Sequence, residues 1–152
     1  MFANKEDLKN NIYNYQVDQI TESDDSIVLQ ALNTAIIEAK SYLTGNDKKE
    51  YLDGRPRYDV AAIFAATGSA RNAIILTHTL TIAKWYIIDL CNVDILYEKA
   101  KDRYDRAIAW LNKLRKGEVN IDDLPQINTD TPTDTDDVFP FSFGSRQKFN
   151  HE

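Results

Sequence analysis

Cysteine is almost missing from this chain: Cys91 stands alone. No internal disulfide can form, and no segment near the N-terminus joins basic residues to an apolar run, so a reducing, cytosolic compartment is expected. Histidine is nearly as scarce, with only His78 and His151, which leaves few candidates for zinc binding or nucleophilic catalysis. His78 and Cys91 fall on one predicted helix, where about 1.5 Å of rise per residue separates them by roughly 20 Å, too far for a dyad. His151 lies in the tail, and nothing around Cys91 resembles a thiol-protease signature. Cys91 therefore reads as a small core residue. His78 reads as a partly buried imidazole bonded to a neighbouring helix or backbone. The five glycines, Gly45, Gly54, Gly68, Gly117 and Gly144, match neither the dinucleotide fingerprint nor the phosphate-loop spacing. Positive charge is also in deficit: 18 Lys and Arg stand against 24 Asp and Glu, a net charge of -6, which argues against general attraction to phosphate backbones. The basic cluster Lys99, Lys101, Arg103 and Arg106 is interleaved with Glu98, Asp102 and Asp105 and reads as a solvated helix face. Paired carboxylates at Asp24-Asp25, Asp122-Asp123 and Asp136-Asp137 lie at caps and in linkers. No catalytic residue, cofactor site or metal site is expected.

What the chain has is helical patterning. Its 152 residues, 43% hydrophobic and 28% charged, suit one domain able to bury roughly 70% of its unfolded surface. The expected fold is all-α, a small bundle of about four helices around a central buried helix spanning about residues 69–91, with an extended C-terminal tail. The central stretch, GSARNAIILTHTLTIAKWYIIDLCN from Gly68 to Asn92, has no Pro or Gly after Gly68. Ser69 is placed as its N-cap. Its apolar residues fall on three sides, and a helix apolar nearly all round is a buried helix. The length invites a membrane reading, but Arg71, His78, Lys84 and Asp89 are spread along it, and centrally placed charges are expensive in lipid. No membrane association is expected.

Before this helix, Asn4 and Asp7 form a capping-box pattern that opens a short amphipathic helix with Leu8 and Ile12 inward. A polar stretch from Asp18 to Ser26 follows, and Ser23, Asp24 and Asp25 can cap a second helix. There Val28, Leu32, Ala35, Ile36, Ala39 and Leu43 make one buried stripe that stops at Gly45 and Asn46. Residues 45–58, with Asp53-Gly54 and Arg55-Pro56, read as an exposed loop. Val60 to Ala66 adds a helical turn or two. Beyond the central helix, Leu96, Ala100, Tyr104, Ala107, Ile108, Leu111 and Leu114 form a second stripe, with a favourable Asp102-Arg106 pair outside and a left-handed stop at Gly117. The predicted core includes Ile74, Ile82, Trp85, Ile88, Ile108 and Leu111. The helical domain spans residues 1–125. Residues 126–152 form an acidic, Thr- and Asp-rich tether that cannot order itself by burial, and then a tail in which Phe139, Phe141 and Phe143 alternate as along one face of a strand. These three, with Arg146 and Lys148, are the candidate partner-binding residues, the alternatives being that the segment folds back on its own helices or has no fixed structure.

The order of parts resembles the Mu-like phage family of small head-tail adaptor (head-completion) proteins, in the version found in prophages of Bacteroides-type bacteria. The similarity lies in DVAAIFAATGSARNAIILTHTLTIAKWYIIDLCN at 59–92, RYDRAIAWLNKLRKGEVNIDDLP at 103–125, FSFGSRQKFNH at 141–151 and FANKEDLKNNIY at the N-terminus. The resemblance implies a compact helical virion protein, not an enzyme, assembled in the host cytoplasm into a homo-oligomeric ring beneath the capsid portal. Its implied partners are the portal protein and tail-side connector proteins, and DNA would pass through without sequence-specific binding. A helical regulatory or interaction module of phage or host, and a small helical enzyme, are the alternative readings.

Overall fold

The structure is a computed structural model that describes residues 1–44, 56–91 and 94–127, without the side chains of 94–96, so the expected loop over 45–55 and the inward position of Leu96 lie outside the described residues. The chain opens with a 3-10 turn, Lys5–Asn10, followed by α1 (Asn14–Ile20), α2 (Asp25–Thr44), α3 (Val60–Ala65), α4 (Ala73–Leu90) and α5 (Asp94–Lys116). Among the described residues there is no β-strand, only an isolated antiparallel bridge between Tyr58 and Gln126. The all-α expectation holds. Its long helices are the three with the clearest patterning. α4 lies in the middle, packed on α2 along one side and on α5 along another. Trp85 and Tyr86 stand level with Tyr104, and His78 with Trp110, so α4 and α5 run antiparallel.

The stripe of α2 is buried as its spacing requires: Val28, Leu32, Ala35, Ile36, Ala39 and Leu43 all face inward, joined by Ala31. Asp24 starts this helix by accepting from the Ser26 amide at 2.8 Å, and hydrogen bonds from the Ser26 side chain and then its amide draw the Asp24 carboxyl below the ordinary range. On α5, Ala100, Ala107, Leu111 and Leu114 are buried and Tyr104 and Ile108 pack against the core. The outer face of α5 carries Asp102-Arg106 and Lys101-Asp105 pairs. Its end is a paired turn: the Glu118 amide donates to the Lys113 carbonyl at 2.9 Å and the Gly117 amide to Leu114 at 3.1 Å. Gly117 takes the left-handed φ of 75° that this motif demands.

Several expectations are corrected. Ser69 is exposed and belongs to a 3-10 turn, Gly68–Ala70. The N-cap of α4 is Asn72, whose side-chain oxygen accepts from the Ile74 and Ile75 amides at 3.1 and 3.2 Å. α4 is not buried all round: Ile75, Thr79, Leu80, Ile82, Ala83, Ile87 and Ile88 face inward, while Ile74 and Leu90 are each 46% exposed. Ile74 leaves the predicted core because it sits in the first turn of α4, beside an open cleft. Trp85 and Ile108 are half-buried; Ile82, Ile88 and Leu111 are fully buried. The polar stretch after Asp18 begins inside α1, a helix whose only buried residue is Val17, too little to show as a period. Tyr58, placed in an exposed loop, is wholly buried, and its hydroxyl accepts from the Ile121 amide at 3.0 Å.

The segment after α5 returns across the bundle. Leu124 is buried, the Pro125 carbonyl accepts from the Asp59 amide at 2.8 Å, and the Ile127 amide donates to the Arg57 carbonyl at 2.7 Å. Asp59 also caps α3, accepting from the Ala62 amide at 2.9 Å. The N-terminal segment also packs on the bundle. Phe2 packs on Phe64 with ring centroids 4.8 Å apart, and Lys84 of α4 reaches the Asn11 carbonyl at 3.0 Å.

Candidate interaction surface

Two of the residues able to carry chemistry, His78 and Cys91, are partly buried on α4 and at its end. His78 stacks on Trp110, ring centroids 4.5 Å apart and 25° between planes, and burial pushes its imidazole pKa below the ordinary value. Its neighbour on α5 is an aromatic face, and burial is what favours the neutral ring. Cys91 is the C-cap of α4 and half-buried. Burial, and secondarily the charge of Glu22, push its thiol pKa up, so the reactive thiolate is disfavoured. Among the described residues no group of three or more His, Cys, Asp or Glu is placed to hold a metal ion. His151 lies outside the described residues. α4 has the length and mean hydropathy, 1.3, to cross a bilayer, yet it packs between α2 and α5.

Two polar clusters lock the bundle. The Arg71 guanidinium donates to both Asp7 oxygens at 2.6 and 3.0 Å, to the Phe2 carbonyl at 2.9 Å and to the Gly68 carbonyl at 2.9 Å. The hydrogen bonds from Arg71 hold the Asp7 carboxyl below the ordinary carboxylate range. Asp7 also accepts from the Asn4 amide at 2.8 Å, its arm of the expected Asn4-Asp7 capping box. The second cluster joins all three long helices: the Glu38 carboxylate on α2 accepts from the Tyr86 hydroxyl on α4 at 2.8 Å and from the Tyr104 hydroxyl on α5 at 2.7 Å. Burial, reinforced by this hydrogen bond, pushes Tyr86 up to about 12 and raises Tyr104 as well.

What remains for recognition is surface. Tyr13 and Tyr15, 67% and 65% exposed, stack on each other at the start of α1 with centroids 5.7 Å apart. Ile37 on α2 is 68% exposed. An open cleft of about 440 Å³ lies between α3, the first turn of α4 and the returning segment, lined by Ala62, Ile63, Ala66, Ala70, Ile74 and Leu124 among others. Ile74 on this wall is half-exposed, and Arg71, Asn72, Ala73, Asp123 and Pro125 complete the lining. Neither the cleft nor the tyrosine pair is legible in the sequence as a site; the isolated aromatic residues flanking Asn14 are the only hint of the pair. The sequence-predicted partner-binding residues Phe139, Phe141, Phe143, Arg146 and Lys148 all lie outside the described residues.

Comparison with known proteins gives one family. No curated protein and no solved structure matches the chain. A family model described as "Bacteriophage Mu, Gp36" matches residues 2–139, which include every described helix. This agrees with the Mu-like phage resemblance in the sequence, and the chain belongs to the bacteriophage Mu Gp36 family.

Proposed function

We propose that the protein is a structural virion component, a head-tail adaptor whose copies form a ring beneath the capsid portal and link head to tail. The observation that carries this reading is the family match over residues 2–139. It is supported by a surface offering contacts, with His78 stacked on Trp110 and the half-buried Cys91 thiol held toward its protonated form. Interfaces are dominated by a few aromatic anchors, and this chain exposes a stacked tyrosine pair and carries Phe139, Phe141 and Phe143 beyond the helical core. In the assembled ring these phenylalanines, with Arg146 and Lys148, dock on a neighbouring copy, the portal protein or a tail-side connector. The net charge of -6 suits a ring through which DNA slides, because a strongly basic lumen would hold the phosphates. The protein acts by binding, without catalysis, cofactor or membrane, and is built into the particle in the host cytoplasm.

The test is electron microscopy of portal-bearing capsids incubated with the full-length protein. Added density in a ring at the portal vertex and restored tail attachment are expected. Capsids whose portals stay bare at saturating protein, in the presence of the tail-side proteins, would overturn the adaptor reading. A monomer in free solution is compatible with either outcome, since a ring of this kind forms on its template.

A further inference from the structure

The open cleft beside α3 has a composition that selects its occupant. Its walls are alanine, Ile63, Leu124 and the exposed side of Ile74. The one guanidinium on its wall, that of Arg71, is bonded to Asp7, Phe2 and Gly68. An apolar floor with its cation engaged suits hydrophobic side chains better than a charged metabolite. At about 440 Å³ the cleft lies in the range of roughly 300–1,000 Å³ that holds ligands of several rings.

The chain itself supplies such an occupant. Pro125 lines the cleft, and the described chain ends two residues later at Ile127. Residues 128–138 separate this point from Phe139, a tether whose reach of roughly 40 Å when extended is ample to turn back. Phe139, Phe141 and Phe143 alternate, so an extended segment presents their three rings on one side. Arg146 and Lys148 follow them, and Asp123 stands on the cleft wall with Asp122 exposed beside it, giving opposite charges to the two partners. A segment tethered at the rim of its own site meets it at an effective concentration in the millimolar range.

We propose that the cleft between α3, the first turn of α4 and residues 121–125 is the seat of the chain's own tail, filled by Phe139, Phe141 and Phe143. In the free protein this covers the adhesive phenylalanines, and assembly exchanges that internal contact for one with a partner. The purpose of the device rests on the adaptor reading; the seat itself does not.

Methyl NMR of the full-length protein tests it without any capsid, so its outcome is separate from that of the portal experiment. Ring currents should displace the Ile74 methyl resonance in the native chain. The displacement should vanish in the Phe139→Ser, Phe141→Ser, Phe143→Ser triple variant, with buried Ile82 unchanged as a report on the fold. An identical Ile74 resonance in both proteins overturns the proposal. So does a displacement that grows with protein concentration, because a second copy's tail is then the occupant. As an independent reading, Ala66→Trp should fill the cleft and raise trypsin cleavage after Arg146 and Lys148 several-fold. Unchanged cleavage in a variant with native Ile82 resonances also overturns it.

Discussion

Single side chains separate the core from its imitation. Leu111 is wholly buried, and Leu111→Ala should cost roughly 2–5 kcal/mol in urea denaturation, the transfer term plus a cavity. Ile74 looks the same in sequence but is 46% exposed on the helical core, so Ile74→Ala should cost clearly less than Leu111→Ala in the same titration. The Arg71-Asp7 clamp is the polar counterpart, its side chains only 13% and 17% exposed. Asp7→Asn leaves the guanidinium short of its counter-charge and should cost roughly 1–3 kcal/mol at neutral pH. Because the folded carboxyl titrates below its ordinary value of 3.8, its contribution is complete above the unfolded pKa and is lost as pH falls through the folded one. The variant should therefore lose part of the native protein's acid sensitivity below about pH 4. His78 is displaced in the same direction by burial. Its neutral form is favoured by the fold, so it weakens the protein as pH falls below the ordinary imidazole value.

Helix ends decide more than helix middles at the scale of elements. Asn72, not Ser69, holds the first amides of α4. Asn72→Ala should cost about 1 kcal/mol in denaturant titration, whereas Ser69→Ala should be nearly silent. The Gly117 stop of α5 has a φ of 75°, and Gly117→Ala should cost roughly 1–2 kcal/mol for placing a Cβ in left-handed backbone. That stop was legible because its chemistry is local: basic residues in the last turn, then glycine. α2 and the covering face of α5 were legible because each has one apolar stripe against one polar face. α1 was not, since Val17 is its only buried residue and a period needs more than one inward position. Ser69 misled because two cap-forming residues, Ser69 and Asn72, precede one apolar run. The short turn Gly68–Ala70 then carries the chain past the first before α4 starts.

The described residues form a three-helix core strapped by the N-terminal segment and by residues 121–127, and Glu38 ties α2, α4 and α5 at one point. Cys91 sits near this core's edge with its thiol pKa raised, so a bulky thiol reagent should label it slowly in the native protein and rapidly in denaturant. Rapid native labelling would reopen a reactive role. By itself the sequence determined the helical class, the inward stripes of α2 and α5, the phage resemblance that the family match supports, and the scarcity of catalytic and metal-binding groups. Those features depend on residue type and spacing along one element, which neighbours do not alter. Tertiary structure decided which side of α4 is covered, the burial of Tyr58 against Ile121, the convergence of Asp7 with Arg71, and the cleft beside Ile74. α4 is apolar on three sides, so its own pattern accommodates several packings. The choice was made by α2 and α5 closing on two of its sides and the returning segment stopping short at its first turn, contacts between residues dozens of positions apart that no local period encodes.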